Sequence, residues 1–396
     1  MTSRRPQAHR PGSANSRPRL LVPAAVAVVA IASVALAAAA LGGPAAATPS
    51  IDPSGTVAAS SLAAATSSSS AAAAAAAGCS GTSAGGAAPS SVASSGPLGP
   101  AGYGFLIADR GNGRILAIAP DGRILWSFPH AGALPRGQAF SADDAFLAPD
   151  HRTIVANDEG HQVIDRIDIA TGRIVWQYGH YGVAGSAPGF LYTPDDAYPL
   201  ANGDVVVADI MNCRILEIAP DHSIVRRWGR AGACHDAPPV AFAEPNGDTP
   251  LPDGGLLVTE IQGSRVVRLS PDGHVVFDIH VPVRYPSDAQ LDANGNVVVA
   301  DFSTRGQVVC VDPTGRLVWR YAPASGARRL DHPSLATPLP GGLVAVNDDF
   351  RHRVVVIDPS SQTIVWQYGT TDRRGSAPGL LSDPDGHQPL PPGVFG

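Results

Sequence analysis

Carboxylates crowd one recurring place in this chain of 396 residues. Six short stretches hold equivalent positions in a repeating unit: ADDA (142–145), PDDA (194–197), PNGDT (245–249), PSDA (286–289), PSLA (333–336) and PDGHQ (384–388). They contribute Asp143, Asp144, Asp195, Asp196, Asp248 and Asp288, with Asn246 and His387 among them. Like charges held close raise one another's pKa and attract a cation. Carboxylate and amide oxygens suit a hard ion such as Ca²⁺, and a nearby imidazole would bring Zn²⁺ into range. The candidate ligand-binding residues are therefore Asp144, Asp196, Asn246, Asp248, Asp288 and His387, with Asp196 and Asp248 as the candidate metal ligands. The structural alternative is that these side chains cap strand starts and hold water.

These residues need a frame that repeats. All five Trp (Trp126, Trp176, Trp228, Trp319, Trp366) lie in short strand-like runs such as RILWSF and TIVWQYG, and Phe277 fills the same column in the unit without Trp. A repeat of roughly 40–50 residues with several short strands means a stacked or circular array. One unit reads clearly: a polar opening TPDDAYPLA, an Asn202-Gly203 turn, then DVVVADI, RILEIAP, a Pro-Asp turn and SIVRRWG. Asn-Gly between strand-like runs is a strong hairpin signal, and four short antiparallel strands (a to d) make one propeller blade. The second-strand runs FLIADRG, TIVANDEG, VVVADIM, LLVTEIQ, VVVADFS and LVAVNDD count six blades.

The ends of the chain predict how the ring closes. Residues 375–393 copy residues 185–203, but after Gly393 the chain soon ends, and strands b, c and d of that unit stand at the other end of the array, in 104–128. A C-terminal strand a therefore completes the first blade, which removes the open edge. The expectation is an all-β, six-bladed β-propeller over 101–396, preceded by an apolar N-terminal segment and a disordered linker.

Residues 1–47 read as a signal peptide or membrane anchor: Arg4, Arg5, Arg10, Arg17 and Arg19 precede an apolar stretch from Leu20 to Leu41, and Ala45, Ala46 and Ala47 suit cleavage. Residues 48–100, nearly all Ala, Ser, Gly, Thr and Pro, cannot bury enough apolar surface to offset ordering and read as a tether. Cys79 lies in this linker. The propeller is then extracytoplasmic, either held at the cell membrane through an uncleaved N-terminal segment or secreted. In that setting Cys213 and Cys234, both in loops of the same face, are expected to pair as a disulfide, while Cys310 in QVVCVD reads as a buried strand residue. From residue 100 onward 23 Arg stand against 33 Asp and Glu, a formal charge of −10, which speaks against a nucleic-acid partner.

The runs ADRGNGRIL (108–116) and ADIMNCRIL (208–216) resemble NHL repeats, which form six-bladed propellers. A second resemblance is to PQQ-binding propeller repeats, through TGRIVW (171–176) and TGRLVW (314–319); Asp168, Thr171, Gly172 and Trp176 fit the longer pattern, with Arg166 where Ala is expected. Peptide-amidating lyases of the NHL type place His just after the Pro that opens strand a. Here that column is Asp143, Asp195, Asn246, Ser287, Ser334 and Asp385, so that activity is not supported. Gluconolactonase-type propellers surround one metal with Glu, Asn and Asp, types that Glu244, Asn246, Asp196 and Asp248 supply. Among histidines, His180, His235, His332 and His387 lie near this face. A further column at the b–c loops (Asp109, Asn157, Asp209, Glu260, Asp301, Asn347) reads as turn-holding, since Asp and Asn accept local backbone bonds.

The functional expectation is a monomeric module that binds a carbohydrate, a peptide or a surface protein in an acidic top-face funnel. The alternatives are a metal-dependent hydrolase or lyase of the lactonase type, and a PQQ-like or sulfotransferase-like enzyme.

Overall fold

The computed structural model describes residues 102–395. The readings for 1–47 and 48–100, Cys79 included, lie outside them. No helix among the described residues is long and apolar enough to cross a membrane. The strands form six four-stranded antiparallel sheets, each running a to d outward from a common axis. This is a six-bladed β-propeller.

Closure follows the copied C-terminal segment. Strand a of blade one is Pro384–Leu390, and it pairs with strand b, Gly104–Asp109, in a register that sets Gly104 opposite Leu390 and Leu106 opposite Gln388. The remaining a strands are Ala145–Leu147, Pro194–Pro199, Pro245–Pro250, Pro286–Leu291 and Ala336–Pro338 for blades two to six.

The core is distributed between blades. Strand b runs such as Val205–Asp209 and Val297–Asp301 are buried along their whole length, because both faces meet a neighbouring blade. Each of the six apolar clusters draws on two adjacent blades; Val155, Ile164 and Tyr178 of blade two, for example, meet Val205, Val207 and Leu216 of blade three. The Trp column explains itself here. The indole N–H of Trp126, Trp176 and Trp319 donates to the carbonyls of Ile169, Pro220 and Pro359, each near the c–d turn of the next blade. A strand-d Trp thus ties one blade to the next. In blade two, Arg166 lies 5.9 Å from the Trp176 ring and donates to the Gly203 carbonyl, which gives the departure from Ala a use.

The b–c column needs a correction. The pairing puts Asp158 opposite Val163 and Asp348 opposite Arg353, as Asp109 is opposite Arg114 and Asp209 opposite Arg214. The equivalent acids are therefore Asp109, Asp158, Asp209, Glu260, Asp301 and Asp348. Each accepts a backbone N–H from the segment entering strand a: Ser382, Ser141, Tyr192, Ala243, Tyr285 and Asp331. Four also meet an Arg five residues on: Arg114, Arg214, Arg265 and Arg353. Asn157 and Asn347 stand one residue earlier and point to the axis instead.

Candidate functional site at the axis mouth

The acid-bearing segments open strand a, and in blades one, three, four and five the ladder slips just there. Such bulges re-aim side chains beside functional sites. Asp196 also takes a left-handed backbone, φ 46°, which Asp tolerates better than most residues.

The slips bring carboxylates together. One ligand oxygen from each of Asp144, Asp195 and Asp196 lies within 4.8 Å of the others. Asp288 stands beside Asp196, and with Asn246, Ser287, Ser334, Leu335 and Asp385 these residues line a cavity of about 10 Å³. Asn157 Nδ2 donates to Asp195 Oδ1 (3.2 Å), Asn246 Nδ2 to Asp195 Oδ2 (2.6 Å), and Tyr285 Oη to Asn246 Oδ1 (2.9 Å). Asp288 accepts from Thr249 Oγ1 (3.0 Å) and Gln290 Nε2 (2.7 Å).

Two glycines make the convergence possible. A Cβ on Gly247 would lie 2.8 Å from Asp288 Oδ1 and 3.1 Å from Asp196 Oδ2, and one on Gly386 would lie 2.2 Å from Asp144 Oδ1. Gly247 and Gly386 occupy the position that Asp144, Asp196 and Asp288 hold in their blades. Blades one and four, which carry glycine at this position, thereby clear space for neighbouring carboxylates.

Charge at the mouth is uneven. Arg110 meets Asp143 (2.6 Å), Asp385 (2.7 Å) and Glu159 (3.0 Å). Among the described residues no arginine pairs with Asp144, Asp195, Asp196, Asp248 or Asp288. Burial first, then neighbouring acids, pushes Asp144, Asp196 and Asp248 well above the carboxylate range. Burial pushes Asp195 up to about 8 and Asp288 to about 6, the latter held down by its hydrogen bonds. Asp196 Oδ2 and both oxygens of Asp248 are buried without a hydrogen bond. Asp248 is fully buried and feels Asp195 and Asp288, so it backs the cluster without lining the cavity.

His387 is placed differently. Its Nδ1 meets Asn347 Oδ1 and its ring packs on Phe105, away from the carboxylate cluster's hydrogen bonds. Burial alone pushes its pKa down to about 3, so it is neutral at any physiological pH. His180 packs tilted against Phe190, and His332 against Phe350. Cys213 and Cys234 are bonded, with Cα atoms 5.2 Å apart, and tie the b–c loop of blade three to the loop leading to blade four. Cys310 is buried in its strand.

With this geometry in view, the comparisons with known proteins bear on the frame. The family model described as outer membrane protein assembly factor BamB, of the PQQ-like repeat type, matches residues 226–386. The chain is a six-bladed β-propeller, and the likeness to PQQ-like repeats covers residues 226–386. No curated protein matches it. Among solved structures, a protein of unknown function from Bacteroides caccae superposes with a TM-score of 0.52 at 20% identity, over 73% of this chain and 98% of that one. The nidogen/laminin complex gives 0.50 at 16% identity, over 72% and 97%. A virginiamycin B lyase from Staphylococcus aureus gives 0.47 at 17%, over 69% and 84%. At such identities the likeness is one of fold, and function has to come from the site.

Proposed function

We propose that this is an exported binding module whose axis mouth holds one hard divalent cation, Ca²⁺ foremost, as the anchor for a ligand on the top face. The observation that carries the reading is the trio Asp144, Asp195 and Asp196, whose oxygens lie within 4.8 Å of one another and pair with no arginine. Two oxygens that share one ion at about 2.4 Å lie no more than about 4.8 Å apart, so the separation is compatible with a shared ion. The donor set fits: it is all oxygen, Asp196 Oδ2 lacks a partner, and glycines clear the space. A cavity of about 10 Å³ takes an ion or a water and excludes a guanidinium or a sugar ring. With no imidazole or thiolate in the lining, Zn²⁺ is a poorer fit than Ca²⁺. Export is supported by the Cys213–Cys234 bond together with the Arg-then-apolar N-terminus, which agrees with a propeller that is either membrane-tethered or secreted.

Isothermal titration with Ca²⁺, Mg²⁺ and Zn²⁺ tests this. We expect one Ca²⁺ per chain, weakened at least about tenfold (1.4 kcal/mol) by Asp196→Asn, with the fold unchanged. No heat with any of the three ions would end the cation reading. The competing reading, a metal-dependent hydrolase or lyase, shares the cation and is separated by turnover. Ca²⁺-dependent cleavage of a lactone or ester that Asp196→Asn abolishes would favour the enzyme.

A further inference from the structure

Asp143 and Asp195 hold the same position in blades two and three and meet opposite partners. Asp195 accepts from two neutral amides, Asn157 Nδ2 at 3.2 Å and Asn246 Nδ2 at 2.6 Å. Asp143 is buried and meets a cation instead: its Oδ1 lies 2.6 Å from Arg110 Nη1. The same nitrogen lies 2.7 Å from Asp385 Oδ2, and Arg110 Nη2 lies 3.0 Å from Glu159 Oε2. Arg110 opens the short turn Arg110–Asn112 at the b–c end of blade one. Around the ring, the position that follows the strand b acid reads Arg110, Glu159, Ile210, Ile261, Phe302 and Asp349, so blade one alone places a base there.

One nitrogen that faces two carboxylates stands where an ion would. Ca²⁺ takes its oxygens at about 2.3–2.6 Å, close to the 2.6 and 2.7 Å that separate Nη1 from Asp143 and Asp385. This second set of oxygens adjoins the first, because Asp385 also lines the cavity with Asp144, Asp195 and Asp196. The acids beyond it have partners of their own. Asp349 shares a hydrogen bond with Asp385 and accepts from Ser334 Oγ (2.9 Å). Asp383 meets His352 (3.3 Å), Asp158 meets His161 (2.8 Å) and Asp109 meets Arg114 (2.6 Å). Among the described residues, Arg110 is the only arginine that meets Asp143, Asp385 and Glu159, one charge against three. Without it, three carboxylates would face one point with no counter-charge.

We infer that Arg110 is the specificity-determining residue of the mouth: its guanidinium is a built-in cation that fills a second oxygen site beside Asp144, Asp195 and Asp196, and it limits the mouth to one exchangeable divalent ion. The inference rests on the cation reading for the ion it limits, and on the Arg110 contacts for the site it fills. The consequence is chemical. Two ions roughly 3.5–4 Å apart clamp the attacking and leaving oxygens of a hydrolytic displacement. Asp385, which lines the cavity and pairs with Arg110, is the carboxylate such a pair would share. A guanidinium neutralises those oxygens but is a hydrogen-bond donor with no coordination position to offer a water. The mouth therefore keeps one ion for holding a ligand and lacks the second ion of a two-metal hydrolase.

The test is calorimetric titration of the full chain with Ca²⁺ at pH 8, where protons compete less, on the parent, Arg110→Met and Arg110→Lys. The parent and Arg110→Lys should bind one ion per chain, and Arg110→Met two. Adding Asp143→Asn to Arg110→Met should return the count to one. Arg110→Gln, which keeps an amide donor for Asp385, repeats the measurement if circular dichroism shows Arg110→Met to be unfolded. A folded Arg110→Met or Arg110→Gln that binds a single ion would overturn the inference and leave Arg110 as a tie between blades one and two. Two ions in the parent would overturn it as well. No ion in the parent and one in Arg110→Met would remove the ion at Asp144, Asp195 and Asp196 and keep the site that Arg110 fills. No ion in any of these proteins would overturn both readings.

Discussion

Two rings of acids surround the axis of this propeller, and they have opposite surroundings. The outer ring (Asp109, Asp158, Asp209, Glu260, Asp301, Asp348) recurs in every blade. Each member accepts a backbone N–H, and four meet an arginine five residues on. The inner group (Asp144, Asp195, Asp196, Asp248, Asp288) is irregular, buried except for half-buried Asp195, and meets carboxylates, amides and a hydroxyl with no arginine. A carboxylate that every repeat supplies with its own partner holds the repeat together. A carboxylate set that only some repeats supply, and that Gly247 and Gly386 make room for, is left to meet something from outside.

The closing strand is the largest lever on the frame that both rings share. Deleting residues 375–396 removes strand a of blade one and leaves Gly104–Asp109 as a bare apolar edge. We expect unfolding or aggregation, read by light scattering and circular dichroism; a monomer with an unchanged melting temperature would refute the closure. Next in size comes the outer ring. Arg353 and Asp348 are both buried and 2.7 Å apart, so Arg353→Ala strands a buried charge and should cost about 3–5 kcal/mol in urea unfolding. Asp196→Asn, by contrast, removes a buried ionisable group that no arginine offsets and should leave stability intact or raised.

Much of this was legible in the chain. A repeat shows its own register, so the blades, the copied C-terminal strand and the Cys213–Cys234 pair can be read by aligning the sequence with itself. The inner acids were legible because they break that repetition. Less visible was the offset in blades two and six, where Asn157 and Asn347 precede the acids that hold the turn: NDE and NDD offer two side chains able to do it, and only the ladder register decides. The use of Gly247 and Gly386 was hidden, since a missing side chain signals nothing until its neighbours are placed. The neighbourhood of four aromatic rings was hidden, although His332 could be placed near this face. Tyr285, Phe302, His332 and Phe350 are single residues in four loops, and no spacing links them.

Proton linkage sharpens the contrast between cation and proton as the neutralising species. The inner acids have pKa values raised above those of the unfolded chain, so their stability is fully present below the ordinary carboxylate range. It is lost as pH rises through the folded values, about 6 for Asp288 and about 8 for Asp195. Burial raises Glu260 to about 7 and Asp348 to about 6, and these outer acids add the same trend with or without an ion. The diagnostic quantity is therefore the difference between melting temperatures in Ca²⁺ and in EDTA. It should be small at pH 5, grow towards pH 8 as protons leave the site to the ion, and flatten in Asp196→Asn. A difference independent of pH, or absent, would mean that the inner acids do not exchange protons for Ca²⁺.

The smallest expected effect separates space from charge. Gly247→Ala alters no ionisable group, and Gly247 does not have a positive φ, so alanine adopts its backbone without strain. On chain entropy alone the change is neutral to stabilising by about 0.4–1 kcal/mol. Its new methyl, however, would sit 2.8 Å from Asp288 Oδ1 and 3.1 Å from both Asp196 Oδ2 and the Ser287 carbonyl oxygen, and the carboxylates must turn aside. We expect a melting temperature within a few degrees of the parent and Ca²⁺ affinity reduced by about three- to tenfold, up to 1.4 kcal/mol. Gly386→Ala should be harsher, because its methyl would meet the Asp144 Cα at 2.8 Å as well as the carboxylate, and backbone cannot rotate away as a carboxylate can. Unchanged Ca²⁺ affinity in Gly247→Ala, measured by the same titration, would show that Asp196 Oδ2 and Asp288 Oδ1 lie off the ion.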